Sequence, residues 1–120
     1  MDKFEFDFEK LEVYQKSLIF IDRIFDVYKN LSQDYKISVG SNLIRSGLSI
    51  ANNLAEGNGK ESKKEKKRYF GISLDSAREC ISVFNILKRQ NMVTKERYLE
   101  LRRAGKEITS MLHGLISSQK

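Results

Sequence analysis

An antiparallel, up-down-up-down, all-α four-helix bundle is predicted by three observations. Apolar residues recur in alternating steps of three and four, the breaks between periodic stretches are short and polar, and no proline interrupts the 120 residues. Connections this short make neighbouring helices antiparallel. With 40% apolar and 10% aromatic residues the chain can bury a core, and its length fits one domain over residues 1–120.

The first helix is expected at about residues 8 to 31, with Leu11, Tyr14, Leu18, Ile21, Phe25 and Tyr28 as its core seam. Ser32, Gln33 and Asp34 break the pattern. A second helix then runs from about Asp34 to Glu56, and Gly57-Asn58-Gly59 supplies the permissive backbone of a stop. Within it Gly47, Ala51 and Ala55 form a ladder of small residues that lets another helix approach closely. Ser62-Lys63-Lys64-Glu65 has the form of a capping box and opens the third helix, whose core row is Phe70, Leu74, Ala77, Ile81, Phe84 and Leu87. Gln90-Asn91 is its expected end, because asparagine tolerates a left-handed cap. Thr94 caps the fourth helix, with Val93 and Tyr98 placed as a hydrophobic staple and Leu101, Ile108, Met111, Leu112 and Leu115 as its inner face. Both chain ends and the turn at Gly59 then fall at one end of the bundle.

Helix one carries a second apolar row, Val13, Phe20, Ile24, Val27 and Leu31, and helix three a comparable surplus in Tyr69, Ile72, Val83 and Ile86. One bundle face cannot bury both rows, so the surplus predicts self-association. Periodicity does not fix the number of subunits.

Twenty-two Lys and Arg stand against 16 Asp and Glu, a net charge of +6, and the run of residues 60–68 alone supplies +4 of it. That run opens a helix, where the dipole favours acids, so its cations serve something other than helix stability. Lys60, Lys63, Lys64, Lys66, Lys67 and Arg68 are therefore the candidate contacts to the phosphate backbone of RNA or DNA. Asp2, Glu5, Asp7 and Glu9 are expected at the same end as a partial counterweight. A second basic zone comprises Lys88, Arg89, Lys95, Arg97, Arg102, Arg103 and Lys106, diluted by Glu96, Glu100 and Glu107. Neither zone interleaves aromatics as a base-stacking platform does.

Enzymatic readings find little support. A di-iron bundle needs Glu-x-x-His pairs, and the chain has one histidine, His113, and one cysteine, Cys80. His113 points off the core seam and Cys80 reads as a small buried hydrophobe, so neither is a catalytic candidate. Gly57-Asn58-Gly59-Lys60 is only a fragment of a phosphate loop. No metal or cofactor is expected, and a lone cysteine excludes an internal disulfide and suits a reducing, intracellular setting. The N-terminal alternation of acid and phenylalanine is unlike a signal peptide, and no apolar run approaches the roughly 20 residues that span a bilayer. Three charged residues read as structural or interfacial: Arg45 within reach of Glu79 or Asp75, Glu79 breaking an apolar row, and Glu56 turned toward the amides that open helix three.

The stretches Phe8-Glu9-Lys10-Leu11-Glu12-Val13-Tyr14-Gln15-Lys16, Ser49-Ile50-Ala51-Asn52-Asn53-Leu54-Ala55-Glu56-Gly57-Asn58-Gly59 and Ser62-Lys63-Lys64-Glu65 resemble the four-helix bundle proteins encoded in 23S rRNA intervening sequences. The similarity covers nearly the whole chain, including Ser76 and Glu79 in helix three and Met111-Leu112 with Leu115-Ile116 in helix four. A more distant similarity is to the accessory proteins of diversity-generating retroelements. The resemblance implies a bacterial, cytoplasmic, ring-like homopentamer without known enzymatic activity that binds RNA or DNA, and it marks Asn53, Gly57 and Gly59 beside Arg45, Glu56 and Glu79 as structural or interface positions. Five chains of +6 each would carry +30, a field that attracts polyanions. The family's paired arginines on helix two map to Ile44 and Arg45, its glutamine there to Asn42, its arginine after the second loop glycine to Lys60, and its glycine before Ser76 to Asp75. One arginine fewer and one acid more predict weaker nucleic-acid binding at any central surface. The competing reading is a protein-interaction scaffold with no direct nucleic-acid role.

Overall fold

Capping chemistry sets the helix boundaries. In a computed structural model that describes residues 3–119, a 3-10 turn (Asp7–Lys10) leads into α1 (Glu12–Lys29). A short turn (Gln33–Tyr35) and a π-helical turn (Lys36–Gly40) enter α2 (Ser41–Asn58), followed by α3 (Lys63–Arg89) and α4 (Lys95–Ser117). Ser62 Oγ accepts from the Glu65 amide and Thr94 Oγ1 from the Arg97 amide, each at 3.1 Å, so both predicted N-caps form. The Glu65 carboxylate, expected to complete a capping box, pairs with Arg68 instead. Asn91, at φ 58°, ends α3 in the left-handed conformation, and the Met92 amide reaches back to the Leu87 carbonyl at 2.9 Å.

Each helix packs against the next and α4 returns to α1, which makes the predicted up-down-up-down bundle, 43 × 30 × 24 Å overall. Phe20 of α1 and Phe84 of α3 meet edge to face across the centre, ring centroids 6.0 Å apart. Two expectations are corrected here. The buried row of α1 is Val13, Ser17, Phe20, Ile24 and Val27 with Ile21, not the seam through Leu18 and Phe25, which each leave 38% of their surface exposed. Ser17 sits in this row because its hydroxyl donates to the Val13 carbonyl of its own helix, so no polar group is left unpaired. On α3, Val83 is buried whereas Ile72 and Ile86 remain exposed.

The glycines work through space rather than backbone freedom, since none has positive φ. A Cβ on Gly57 would lie 2.8 Å from Tyr69 Cβ and 2.9 Å from a Phe70 ring carbon, so α2 and α3 can close at their turn only over a hydrogen. Gly47 takes the Ile24 side chain of α1 in the same way, which places the first residue of the small-residue ladder against a helix of the same chain. Gly71, by contrast, faces open space in the middle of α3. Gly57→Ala should therefore lower stability by about 1–3 kcal/mol through overpacking. Gly71→Ala should raise it by up to about 1 kcal/mol by removing backbone entropy from a helix interior. Urea unfolding midpoints at unchanged m-value read both.

Candidate nucleic-acid interface

The six cations of residues 60–68 divide by what they touch. Lys66 Nζ donates to the Asn58 carbonyl at 2.9 Å, satisfying the C-terminal end of α2 where the dipole favours a positive charge. Lys60 and Arg68 both lie over the Tyr69 ring, at 5.1 and 4.5 Å from its centroid, and Arg68 also pairs with Glu65 at 2.9 Å. The hydrogen bond from Arg68 holds the Glu65 carboxyl below its usual range. Lys63, Lys64 and Lys67 are exposed, and Lys64 and Lys67 make no ion pair among the described residues. Glu9 and Asp7 spend their carboxylates on the amides of Phe6 and Phe8, each at 2.8 Å, and neither neutralises the basic run. Asp2 lies outside the described residues.

Arg45, Glu56 and Glu79 are all exposed rather than buried. Among the described residues Arg45 makes no ion pair with Glu79 or Asp75, and the Glu56 carboxylate makes no bond to the amides that open α3. Beyond the Lys66 ammonium at the turn, what ties α2 to α3 is neutral. Asn53 Nδ2 donates to Ser49 Oγ at 3.0 Å, Ser49 and Ser76 share a hydroxyl bond of 2.7 Å, and Ser76 donates on to the Ile72 carbonyl. One turn away, Ser73 Oγ donates to the Ile50 carbonyl at 2.8 Å within the buried interface. Gly59 ends α2, its amide bonded to the Glu56 carbonyl.

Arg45 instead rims an open groove of about 870 Å³ between α1 and α2, floored by Phe25, Tyr28, Ile37, Ile44 and Leu48. The π turn helps form it, leaving Ile37 with 76% of its surface in solvent. In the second basic zone Arg97 faces Asp26 at 3.9 Å, while the acids expected to dilute it are drawn to α1, Glu100 to Arg23 at 3.3 Å and Glu107 to Lys16. Each pair sums to residue number 123, so the three lie on one antiparallel register between α1 and α4. Sequence reading missed this because it counted Glu100 and Glu107 as diluting nearby cations; only the three-to-four spacing of both helices together hints at the pairing.

His113 is exposed and lines a groove between α3 and α4. Burial pushes the Cys80 thiol up to about 12, with Glu79 adding to the shift, so the group stays a protonated thiol through neutral pH. Iodoacetamide at pH 8 should label Cys80 only as fast as the fold opens, and at the full thiol rate in urea; mass spectrometry over time reads the difference.

Among the described residues there is no cluster of three metal-ligating side chains and no helix long and apolar enough to cross a membrane. A family model described as 23S rRNA-intervening sequence protein matches residues 9–114. A crystal structure of a protein of unknown function from the S23 ribosomal protein family of Bacteroides thetaiotaomicron is similar at 30% identity and a TM-score of 0.81, covering 87% of this chain and 97% of the other. No curated protein matches significantly.

Proposed function

This chain belongs to the 23S rRNA-intervening sequence protein family, and we propose that it is a non-enzymatic, cytoplasmic, self-associating bundle that binds the backbone of RNA or DNA through basic surface. The observation that carries the reading is the pair of exposed lysines, Lys64 and Lys67, left without ion pairs on the first turns of α3 while neighbouring cations are held by Asn58, Tyr69 and Glu65. A charge at that place, opposed by the helix dipole and unpaired, is available to a phosphate. The contacts are to backbone, since the one aromatic ring in the patch, Tyr69, is already covered by two cations.

The α1/α2 groove supports the self-association in this reading. Phe25, Ile37 and Leu48 form an exposed apolar surface beside Lys36 and Arg45, which suits a second copy of the chain in a ring, with five subunits as the assembly the family resemblance implies. A second copy also multiplies the positive field. Leu48→Glu should convert the assembly to species of 14.0 kDa in sedimentation equilibrium, with helicity unchanged.

Binding of a structured RNA across a salt series tests the nucleic-acid part. Wild type should lose affinity linearly in log salt, and Lys64→Gln with Lys67→Gln should make the slope shallower by about 1–2. Lys66→Gln should act on stability rather than slope, because its ammonium caps α2. A slope unmoved by the double variant, or no binding at low salt, would leave partner-protein capture as the reading to pursue.

A further inference from the structure

The α3/α4 groove, about 380 Å³, is lined by Arg78, Arg102, Lys106 and His113 with hydroxyl and amide groups, and no carboxylate lines it. α4 segregates its charge to make this possible. Glu100 and Glu107 are turned to α1, where Arg23 and Lys16 neutralise them, and the cations on the opposite flank face α3 without a counterion. The groove closes where Gly105 lets Ile81 approach: a Cβ there would lie 2.5 Å from Ile81 Cδ1.

Arg102 is held in place by neutral groups. Its Nη1 donates to Asn85 Oδ1 at 3.0 Å, the same oxygen accepts from Tyr98 Oη at 2.6 Å, and the guanidinium lies 5.7 Å from the Tyr98 ring centroid. An aspartate at 85 would have neutralised the guanidinium; an asparagine orients it and leaves its charge and remaining donors to an outside anion. Ser82 and Ser110 add hydroxyls that make no hydrogen bond among the described residues, within reach of the same space.

The groove also continues the basic run. At 100° per residue, Lys64, Lys67, Gly71, Arg78 and Asn85 fall on one stripe of α3, and the open space over Gly71 leaves the path between the two charge clusters clear. Lys64 and Arg78 are 14 residues apart in sequence, about 21 Å along the helix, so the two charge clusters can engage different phosphates of one nucleic acid. Asp75 is the acid on that stripe and makes no ion pair with Arg78.

We propose that the α3/α4 groove is a phosphate-binding site in which Arg78, Arg102 and Lys106 receive the nucleic-acid backbone that Lys64 and Lys67 first engage. The inference rests on the nucleic-acid reading for the source of the phosphate, and on the groove alone for its chemistry. His113, the single histidine of the chain, is a built-in reporter. Its imidazole NMR signals should move when full-length protein is titrated with a 12-base-pair RNA duplex and, separately, with inorganic pyrophosphate. Arg78→Gln with Lys106→Gln should abolish both shifts and lower the salt slope of RNA binding by about 1–2. Asn85→Asp should lower it by about 1 with the groove's shape retained, since it places a carboxylate on Arg102; helicity checks the fold of each variant.

RNA binding with no movement of His113 and no effect of these variants would overturn the groove proposal and leave the basic run as the interface. Movement with pyrophosphate in a protein that binds no RNA would uphold the phosphate site and overturn the backbone as its source. Silence toward both probes would overturn the site.

Discussion

Close approach of helix backbones is the constraint on which the bundle depends. At the seams α1/α2, α2/α3 and α3/α4 a glycine stands where a methyl would collide: Gly47 beneath Ile24, Gly57 beneath Tyr69 and Phe70, Gly105 beneath Ile81. The atoms facing Gly57 are the least able to yield, because Tyr69 Cβ is fixed to its own backbone, whereas the ends of Ile24 and Ile81 can rotate. The fourth seam, α4 against α1, is bridged differently, by Lys16–Glu107, Arg23–Glu100 and Asp26–Arg97 at its solvent edge. Exposed pairs of this kind contribute little stability. Their consequence is the distribution of charge, since they draw the carboxylates of α4 to one flank and leave its other flank cationic.

Charge and apolarity thus leave the core on different faces. The α1/α2 face carries an apolar groove rimmed by Arg45, while the α3/α4 face carries a cationic groove that runs toward the basic turn of α3. A ring also needs a surface complementary to the first face, and one that avoids the α3/α4 groove would leave that groove available to a polyanion. The neutral tie of Asn53, Ser49 and Ser76 across α2/α3 suits that division, because it fixes the register of the two helices without adding a charge to either face.

Much of the architecture was legible because it is locally encoded. Ser62, Thr94 and Asn91 end or begin helices through bonds within a few residues, and they do so here as their sequence context requires. The choice of core face on α1 was not legible. Two apolar rows lie side by side, and the buried one contains Ser17, whose pairing with its own helix carbonyl makes a polar residue compatible with the interior. Gly57 was read as part of a permissive helix stop and proved to be a contact point, since only the folded partner reveals that Tyr69 passes over it. Arg45 and Glu79 read as structural or interfacial in the sequence, and they stand on outer faces with no ion pair between them among the described residues. The candidate site was half legible: the basic run stood out in composition, whereas the groove at Arg78 and Arg102 depends on which flank of α4 its glutamates choose.

The most direct test of the central claim, that phosphate backbone lies along α3 and not on the α1/α2 face, is a lysine-acetylation footprint read by mass spectrometry with and without a saturating structured RNA. Protection of Lys64, Lys67 and Lys106, with Lys29 and Lys36 labelled as in the free protein, is the expected pattern. Protection centred on Lys36, or spread evenly over all lysines, would contradict it.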